Sequence, residues 1–266
     1  MTEPGDSPRP PGAPGPPRAP RPPRLPGTGG PNARASAFGF PADHWPVFAR
    51  ISAKLGGLFV RCFTRVSITG LEHIPTTGPL IVAANHASNA DGGFLIAWVT
   101  PVLRRPVHWM GKAEALKWPL AGWFMKQNGV FGVHRGAADT EAFRLAKSVL
   151  DEGRVLGAFP EGTRSPTGAL QAAKEGVTLL ALRTGAPIVP IGIADSDLFW
   201  PKGRLVWRIG GRVTLTVGEP FVLSRELGPD GRKESLEAAT TRLMRRIAEL
   251  LPERQRGVYG DATRTE

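Results

Sequence analysis

The stretch "PLIVAANHASNADGG" (Pro79–Gly93) decides how the chain is read. Leu80 to Ala84 is an uninterrupted apolar run of strand length, followed by His86, Asp91 and two glycines. A core strand has no use for those polar groups. On a single helix five residues advance about 500°, which would leave His86 and Asp91 about 140° apart on different faces. If the two side chains meet, the segment runs strand, tight turn, helix start. Asp91, just before Gly92 and Gly93, stands where a turn folds it back toward the ring.

Outward from this stretch the chain alternates. Strand-like runs occur at "VSITG", "PLIVAAN", "VHWMG", "GVFGV", "RVLGAFP", "APIVPIGI", "LVWRIG" and "RVTLTVG". Helical patterns fall at Gly92–Val99, Trp118–Gln127, Thr140–Asp151 and Ala172–Thr184. A closing helix at Lys233–Leu251 sets Leu236, Leu243, Ile247 and Leu250 on one face. This is the pattern of an α/β fold, a mixed, largely parallel central sheet flanked by helices. No internal repeat is visible. We expect a Pro/Arg-rich disordered tail over 1–42, one domain over 43–257 and a short C-terminal tail over 258–266.

The 266 residues suffice for a substantial core, with 41% hydrophobic and 21% charged residues. A net charge of +11 favours a negatively charged partner: nucleic acid, anionic lipid or a phosphorylated substrate. A single cysteine, Cys62, excludes an internal disulfide framework and a cysteine-based metal cluster. No metal site is expected, because no His-x3-His and no carboxylate pair with ligand spacing occurs. The N-terminal tail shows no apolar segment of the kind a secretory signal carries. Its prolines and arginines point to solvated, polyproline-like chain.

Residues 43–66 contain a basic amphipathic helix. Arg50, Lys54, Arg61 and Arg65 fall within about 60° on a helical wheel. Phe48, Ile51, Leu55, Leu58, Phe59, Cys62 and Val66 take another side. Four cations are incompatible with a simple membrane span. Two readings remain, a helix lying in a bilayer interface and a surface helix whose apolar face packs on the domain. Likewise "KWPLAGWFMKQNGVFG" (Lys117–Gly132), rich in Trp118, Trp123, Phe124 and Met125, suits an acyl-chain groove, a lipid interface or ordinary core.

Spacing alone does not single out His86, since His134 and Asp139 repeat it in "HRGAAD" and either aspartate suits a helix N-cap. Wider context separates them. "NHASNAD" is followed by "MGKAEAL" (Met110–Leu116), "GVFGVHRG" (Gly129–Gly136), "FPEGTRS" (Phe159–Ser165) and "IVPIGI" (Ile188–Ile193). In this order and spacing the set resembles the glycerolipid acyltransferase superfamily (PlsC-like), nearest its bacterial 1-acylglycerol-3-phosphate acyltransferases. The resemblance covers roughly Leu71 to Gly218.

The resemblance implies that His86 is the base that takes the proton of a glycerol hydroxyl and that Asp91 orients it. The donor it implies is a thioester co-substrate, acyl-CoA or acyl-carrier protein, with no bound cofactor. The chemistry suits the residues, because neutral imidazole is a base near pH 7 and a carboxylate on its other nitrogen fixes the tautomer. The acceptor implied is lysophosphatidic acid, acylated at its sn-2 hydroxyl to phosphatidic acid. The resemblance assigns its phosphate and surroundings to Lys112, Arg135, Glu161, Gly162, Thr163 and Arg164, with backbone N–H groups around Gly162 contributing. His134, before Arg135, departs from the acidic residue many relatives carry and leaves the headgroup open. Ser88 lacks a Gly-x-Ser-x-Gly elbow, so direct transfer is expected over an acyl-serine route. The resemblance and the basic helix together imply a peripheral enzyme on the cytoplasmic face of an anionic membrane. The alternatives are a lysophospholipid or glycerol-3-phosphate acyltransferase with another acceptor and, on charge alone, a basic nucleic-acid- or membrane-binding protein. No nucleic-acid-binding motif supports that last reading, and no nucleic-acid partner is expected.

Overall fold

The structure, a computed structural model, describes residues 47–133, 140–227 and 233–260. The expected N-terminal tail, the second His–Asp pair (His134, Asp139) and Arg135 lie outside the described residues. The chain forms, in order, α1 (Val47–Phe63), β1 (Arg65–Thr69), β2 (Leu80–Ala84), α2 (Asp91–Leu103) and β3 (Val107–Lys112). There follow α3 (Pro119–Gln127), β4 (Val130–Val133), α4 (Thr140–Asp151), β5 (Val155–Ala158) and α5 (Gly176–Thr184). β6 (Ile188–Ala194), α6 (Ser196–Phe199), β7 (Arg212–Val217) and α7 (Leu236–Ala248) complete it.

Among the described residues the seven strands make one sheet, ordered β1-β7-β6-β2-β5-β3-β4. Every pairing is parallel except β6 with β7. This is the mixed, largely parallel sheet that the alternation implies. β2 occupies the middle, and all five of its residues are buried. Ile81 and Ala83 face the core under α4, α5 and α7, while Leu80, Val82 and Ala84 face the core under α2. A strand covered on both sides must read as a continuous apolar run, which is what "LIVAA" is. The helix after β2 lies on one face and the helix after β5 on the other, so the carboxyl ends of these neighbouring strands open a crevice between them. In open α/β sheets ligands bind at such a switch point.

Four expectations are corrected. "LVWRIG" (205–210) is not a strand but a surface segment between α6 and β7, with Leu205, Val206 and Ile209 exposed. α5 starts at Gly176 rather than Ala172, because residues 171–174 are held by the loop after β5: the Gln171 N–H donates to the Glu161 carboxylate and the Lys174 N–H to the Pro160 carbonyl. α1 ends at Phe63, and Arg65 and Val66 begin β1. Residues 258–260, expected in a tail, include part of a 3-10 turn (Gly257–Tyr259), and the Tyr259 hydroxyl accepts the Ala173 N–H at 2.9 Å.

α1 resolves its two readings in an unforeseen way. Its buried residues are Ala49, Ala53 and Val60. With Gly57, 3.5 Å in Cβ terms from Ala97, these form a small-residue face that lets α1 lie close on α2. The large apolar residues Ile51, Leu55, Leu58 and Phe59 stay exposed, as do Arg50, Lys54 and Arg61. The helix docks by its third face and turns both other faces outward. Phe48 joins it to α3, with ring centroids 4.9 Å from Trp123.

Two measurements test this packing. A Cβ at Gly157 on β5 would stand 2.1 Å from Cε3 of the Trp109 indole. Gly157→Ala should therefore cost about 1–3 kcal/mol in urea unfolding through overpacking; an unchanged midpoint would mean the indole has room to move. His108 on β3 is 1% exposed, and burial, then the Arg154 charge, lowers its pKa from 6.5 to about 4. The unfolded chain then takes up a proton that the folded chain refuses. Stability present above pH 6.5 falls as the pH drops toward 4, by roughly 3 kcal/mol at most. His108→Gln should flatten that decline, and parallel stability–pH curves for the two proteins would contradict the assignment.

Candidate active site

His86 stands two residues beyond the carboxyl end of β2, and Asp91 opens α2. The intervening turn brings them together, with Nδ1 2.9 Å from Asp91 Oδ2. The same oxygen accepts the N–H groups of Ala87 and Ser88, both at 2.7 Å. An oxygen already accepting two amide protons is an acceptor for the third partner as well, so Nδ1 is the donor and carries the ring proton. Asp91 is fully buried, whereas the His86 side chain keeps 20% of its surface open. The turn's geometry thus leaves Nε2 with its lone pair. Asp91 both ties the turn and orients the ring, so the capping and orienting readings of this residue are one and the same.

The "FPEGTRS" loop after β5 grips His86 from the other side. The Phe159 ring stacks on the imidazole at 4.0 Å between centroids and 14° between planes. Trp109 backs Phe159 in turn, 6.1 Å away. The His86 N–H donates to Glu161 Oε1 at 2.8 Å, and the His86 carbonyl accepts the Ser165 N–H at 2.7 Å. Glu161 is 3% exposed, and its other oxygen accepts the Gln171 N–H at 3.0 Å. Burial pushes its pKa up, while these donors favour the anion. The resemblance gave Glu161 to the acceptor site; its carboxylate in fact faces inward and acts on His86.

The other expected residues fare differently. Gly162 takes a positive φ of 67° and donates its N–H to the Phe159 carbonyl at 2.9 Å, which closes the turn. That N–H is spent on the loop, which leaves any main-chain donor to a phosphate to the residues around Gly162. Thr163 and Arg164 follow on the partly exposed side of the loop. Lys112 ends β3 at the same sheet edge, exposed and 3.8 Å from Glu114. The loop thus brings Glu161 onto His86 and carries Gly162, Thr163 and Arg164 between its two bonds to the His86 main chain, while Lys112 stands at the strand edge beyond β5. The Ser88 side chain is fully buried: its hydroxyl donates to the Trp200 carbonyl at 2.9 Å and accepts the Ala90 N–H at 3.0 Å.

Several contributors carried no assigned role in the sequence reading. Asn85, 2% exposed, accepts the Ile193 N–H at 2.7 Å and donates to the Ile193 carbonyl at 3.0 Å. Its amide stands in for backbone where β2 turns away from β6, and an asparagine directly before the histidine was the only signal. Phe159 and Ser165 were in a quoted motif, but ring stacking and a main-chain bond leave no trace in spacing.

The part of the chain that carries this turn and loop is similar to known proteins. The family model described as Acyltransferase matches residues 65–194. The 1-acyl-sn-glycerol-3-phosphate acyltransferase of Pseudomonas aeruginosa is 28% identical over 195 residues, 72% of each chain. The chloroplastic LPAT1 of Arabidopsis thaliana, also named 1-acyl-sn-glycerol-3-phosphate acyltransferase, is 28% identical over 178 residues, 65% of this chain and 49% of its own. The chain therefore spans about half of the plant relative. A lyso-ornithine lipid O-acyltransferase of Pseudomonas aeruginosa is 31% identical over 160 residues, 54% of this chain and 59% of its own. Among solved structures, the LPA acyltransferase PlsC of Thermotoga maritima aligns with a TM-score of 0.60 and 28% identity, covering 76% of this chain and 79% of that one. In sequence and in fold the chain is thus similar to the PlsC-like glycerolipid acyltransferases.

Proposed function

We propose that the chain transfers a fatty acyl group from acyl-CoA or acyl-carrier protein to the sn-2 hydroxyl of 1-acyl-sn-glycerol 3-phosphate, forming phosphatidic acid. The observation that carries this reading is the buried Asp91 carboxylate holding the Nδ1–H of a partly open imidazole. Nε2 accepts the proton of the acceptor's hydroxyl as its oxygen attacks the thioester carbonyl. The resulting imidazolium is stabilised by Asp91. The tetrahedral adduct then expels the thiolate, which takes the proton back from Nε2. The ester C–O bond forms, the C–S bond breaks and the histidine returns to its starting state. Because Ser88 is buried and bonded on both sides, direct transfer fits better than an acyl-serine intermediate.

The acceptor's phosphate is assigned to Arg164, with Lys112 and Arg135 assisting, since a guanidinium offers a fork of donors to phosphate. The active-site turn works at a membrane surface in this reading. The outward faces of α1 pair exposed Ile51, Leu55 and Leu58 with Arg50, Lys54 and Arg61, a composition that suits the interface of an anionic leaflet. Exposed Trp118, Leu120 and Trp123 extend the apolar surface beside it. Among the described residues no helix is long and apolar enough to cross a membrane. We place the protein on the cytoplasmic leaflet.

The similarity to a lyso-ornithine lipid O-acyltransferase favours a second reading, the same chemistry on an acceptor without phosphate. A thiol-release assay with acyl-CoA separates the two when lysophosphatidic acid and lyso-ornithine lipid are compared. Lysophosphatidic acid should be the better acceptor. His86→Ala should lower kcat by about 10³-fold or more while the protein stays folded. Arg164→Ala should act chiefly on the KM for lysophosphatidic acid, about tenfold upward. Retained turnover in His86→Ala would remove the base, and an unchanged KM in Arg164→Ala would remove the phosphate contact.

A further inference from the structure

The segment between α6 and β7, residues 200–211, is an ordered surface strap with its large apolar side chains facing away from the protein. Leu205 is 93% exposed, Ile209 79% and Val206 72%. Disorder does not explain this, because the backbone is tied at several points. The Arg208 N–H donates to the Phe199 carbonyl at 2.8 Å, the Gly210 N–H to the Phe63 carbonyl at 2.7 Å, and the Trp200 indole N–H to the Arg204 carbonyl at 2.8 Å. Trp207 turns inward instead. Its ring lies 4.9 Å from Phe59, 5.3 Å from Phe63 and 5.5 Å from Trp200, so the strap is joined to the end of α1 by an aromatic cluster. An ordered, contiguous apolar tip held out into water implies a partner that covers it.

Charge and continuity identify the partner. Exposed Lys202, Arg204, Arg208 and Arg212 surround the tip, and no acidic residue occurs between Asp197 and Glu219. The exposed apolar and cationic faces of α1 adjoin it through Phe59. Apolar side chains ringed by cations match an anionic leaflet, acyl chains below and phosphates above.

The strap also touches the catalytic turn directly. The Asn89 N–H donates to the Trp200 carbonyl at 3.0 Å, and the Ser88 hydroxyl donates to the same carbonyl at 2.9 Å. The Asn89 side-chain amide donates to the Arg204 carbonyl at 3.1 Å, and Lys202 Nζ to the Arg164 carbonyl at 2.7 Å. Ser88 and Asn89 lie between His86 and Asp91, and Arg164 follows Glu161 in the loop that grips His86. We infer that residues 200–211 are a second bilayer-contacting element, inserting Leu205, Val206 and Ile209 into an anionic leaflet and thereby seating the His86–Asp91 turn at headgroup depth. This inference rests on the reading of the protein as an enzyme of membrane lipids, and it assigns the strap a part separate from α1.

The test uses the full chain with α1 intact. An environment-sensitive fluorophore on Val206→Cys, in a Cys62→Ser background, should shift to the blue with phosphatidylglycerol-containing vesicles and much less with phosphatidylcholine alone. Leu205→Ser/Val206→Ser/Ile209→Ser, which alters only exposed side chains, should keep the wild-type melting temperature yet partition roughly tenfold more weakly into the anionic vesicles. No blue shift on adding vesicles, or unchanged partitioning of the triple variant, would overturn the inference. So would a blue shift that grows with protein concentration without lipid, since the tip would then be covered by a second copy of the chain. Partitioning is read without turnover, so it stands or falls separately from the acyl-transfer assay.

Discussion

The His86 main chain is held by two groups of the loop after β5: the Glu161 carboxylate on its N–H and the Ser165 N–H on its carbonyl. Everything at the site depends on that grip. A histidine just past a buried strand has lost its ladder partners, and its backbone groups would be costly to leave unpaired. The loop after β5 satisfies both, and the ring is then sandwiched by Phe159 on one face and steered at Nδ1 by Asp91. The geometry of the His86–Asp91 pair is therefore a consequence of how β2 and β5 end side by side. A carboxylate that is 3% exposed is expensive to bury, as its raised pKa shows, yet its hydrogen bonds hold the very residue whose position matters most.

The same sheet order links the site to the surface. α2 begins at Asp91 and carries α1 on its outer side, with the small residues Ala49, Ala53 and Gly57 allowing close approach. The chain from α6 to β7 returns across the Ser88–Asn89 turn and reaches the aromatic end of α1. Outward-facing apolar and cationic side chains are thus tied to the turn that joins His86 to the buried Asp91. If the proposed acyl transfer to a bilayer-resident acceptor holds, this arrangement lets the outward surface and the His86–Asp91 turn move as one piece.

Much of this was legible in the sequence because it rests on short-range pattern. The run "LIVAA" reads as a buried strand, and with four residues between them His86 and Asp91 meet only over a strand–turn–helix junction. What escaped was long-range. "LVWRIG" has strand-like composition, but its last residue Gly210 and the following Gly211, both at positive φ, and a place outside the sheet make it a strap with its apolar tips outward. The docking face of α1 was missed because alanine and glycine register as weak hydrophobes, although their smallness is what permits the contact. Glu161 was recognised by its motif, but its bond to a main-chain N–H seventy-five positions away was not, since spacing does not tell which group a carboxylate meets.

The central claim is that Asp91 fixes the proton of His86 on Nδ1 and leaves Nε2 as the base. Nitrogen-15 NMR of the ring, assigned by its disappearance in His86→Ala and recorded where the imidazole is neutral, reads that directly. The account predicts a protonated Nδ1 and a lone-pair Nε2 in the wild-type protein, with the preference lost in Asp91→Asn. A wild-type ring protonated at Nε2, or one exchanging freely between tautomers, would contradict it.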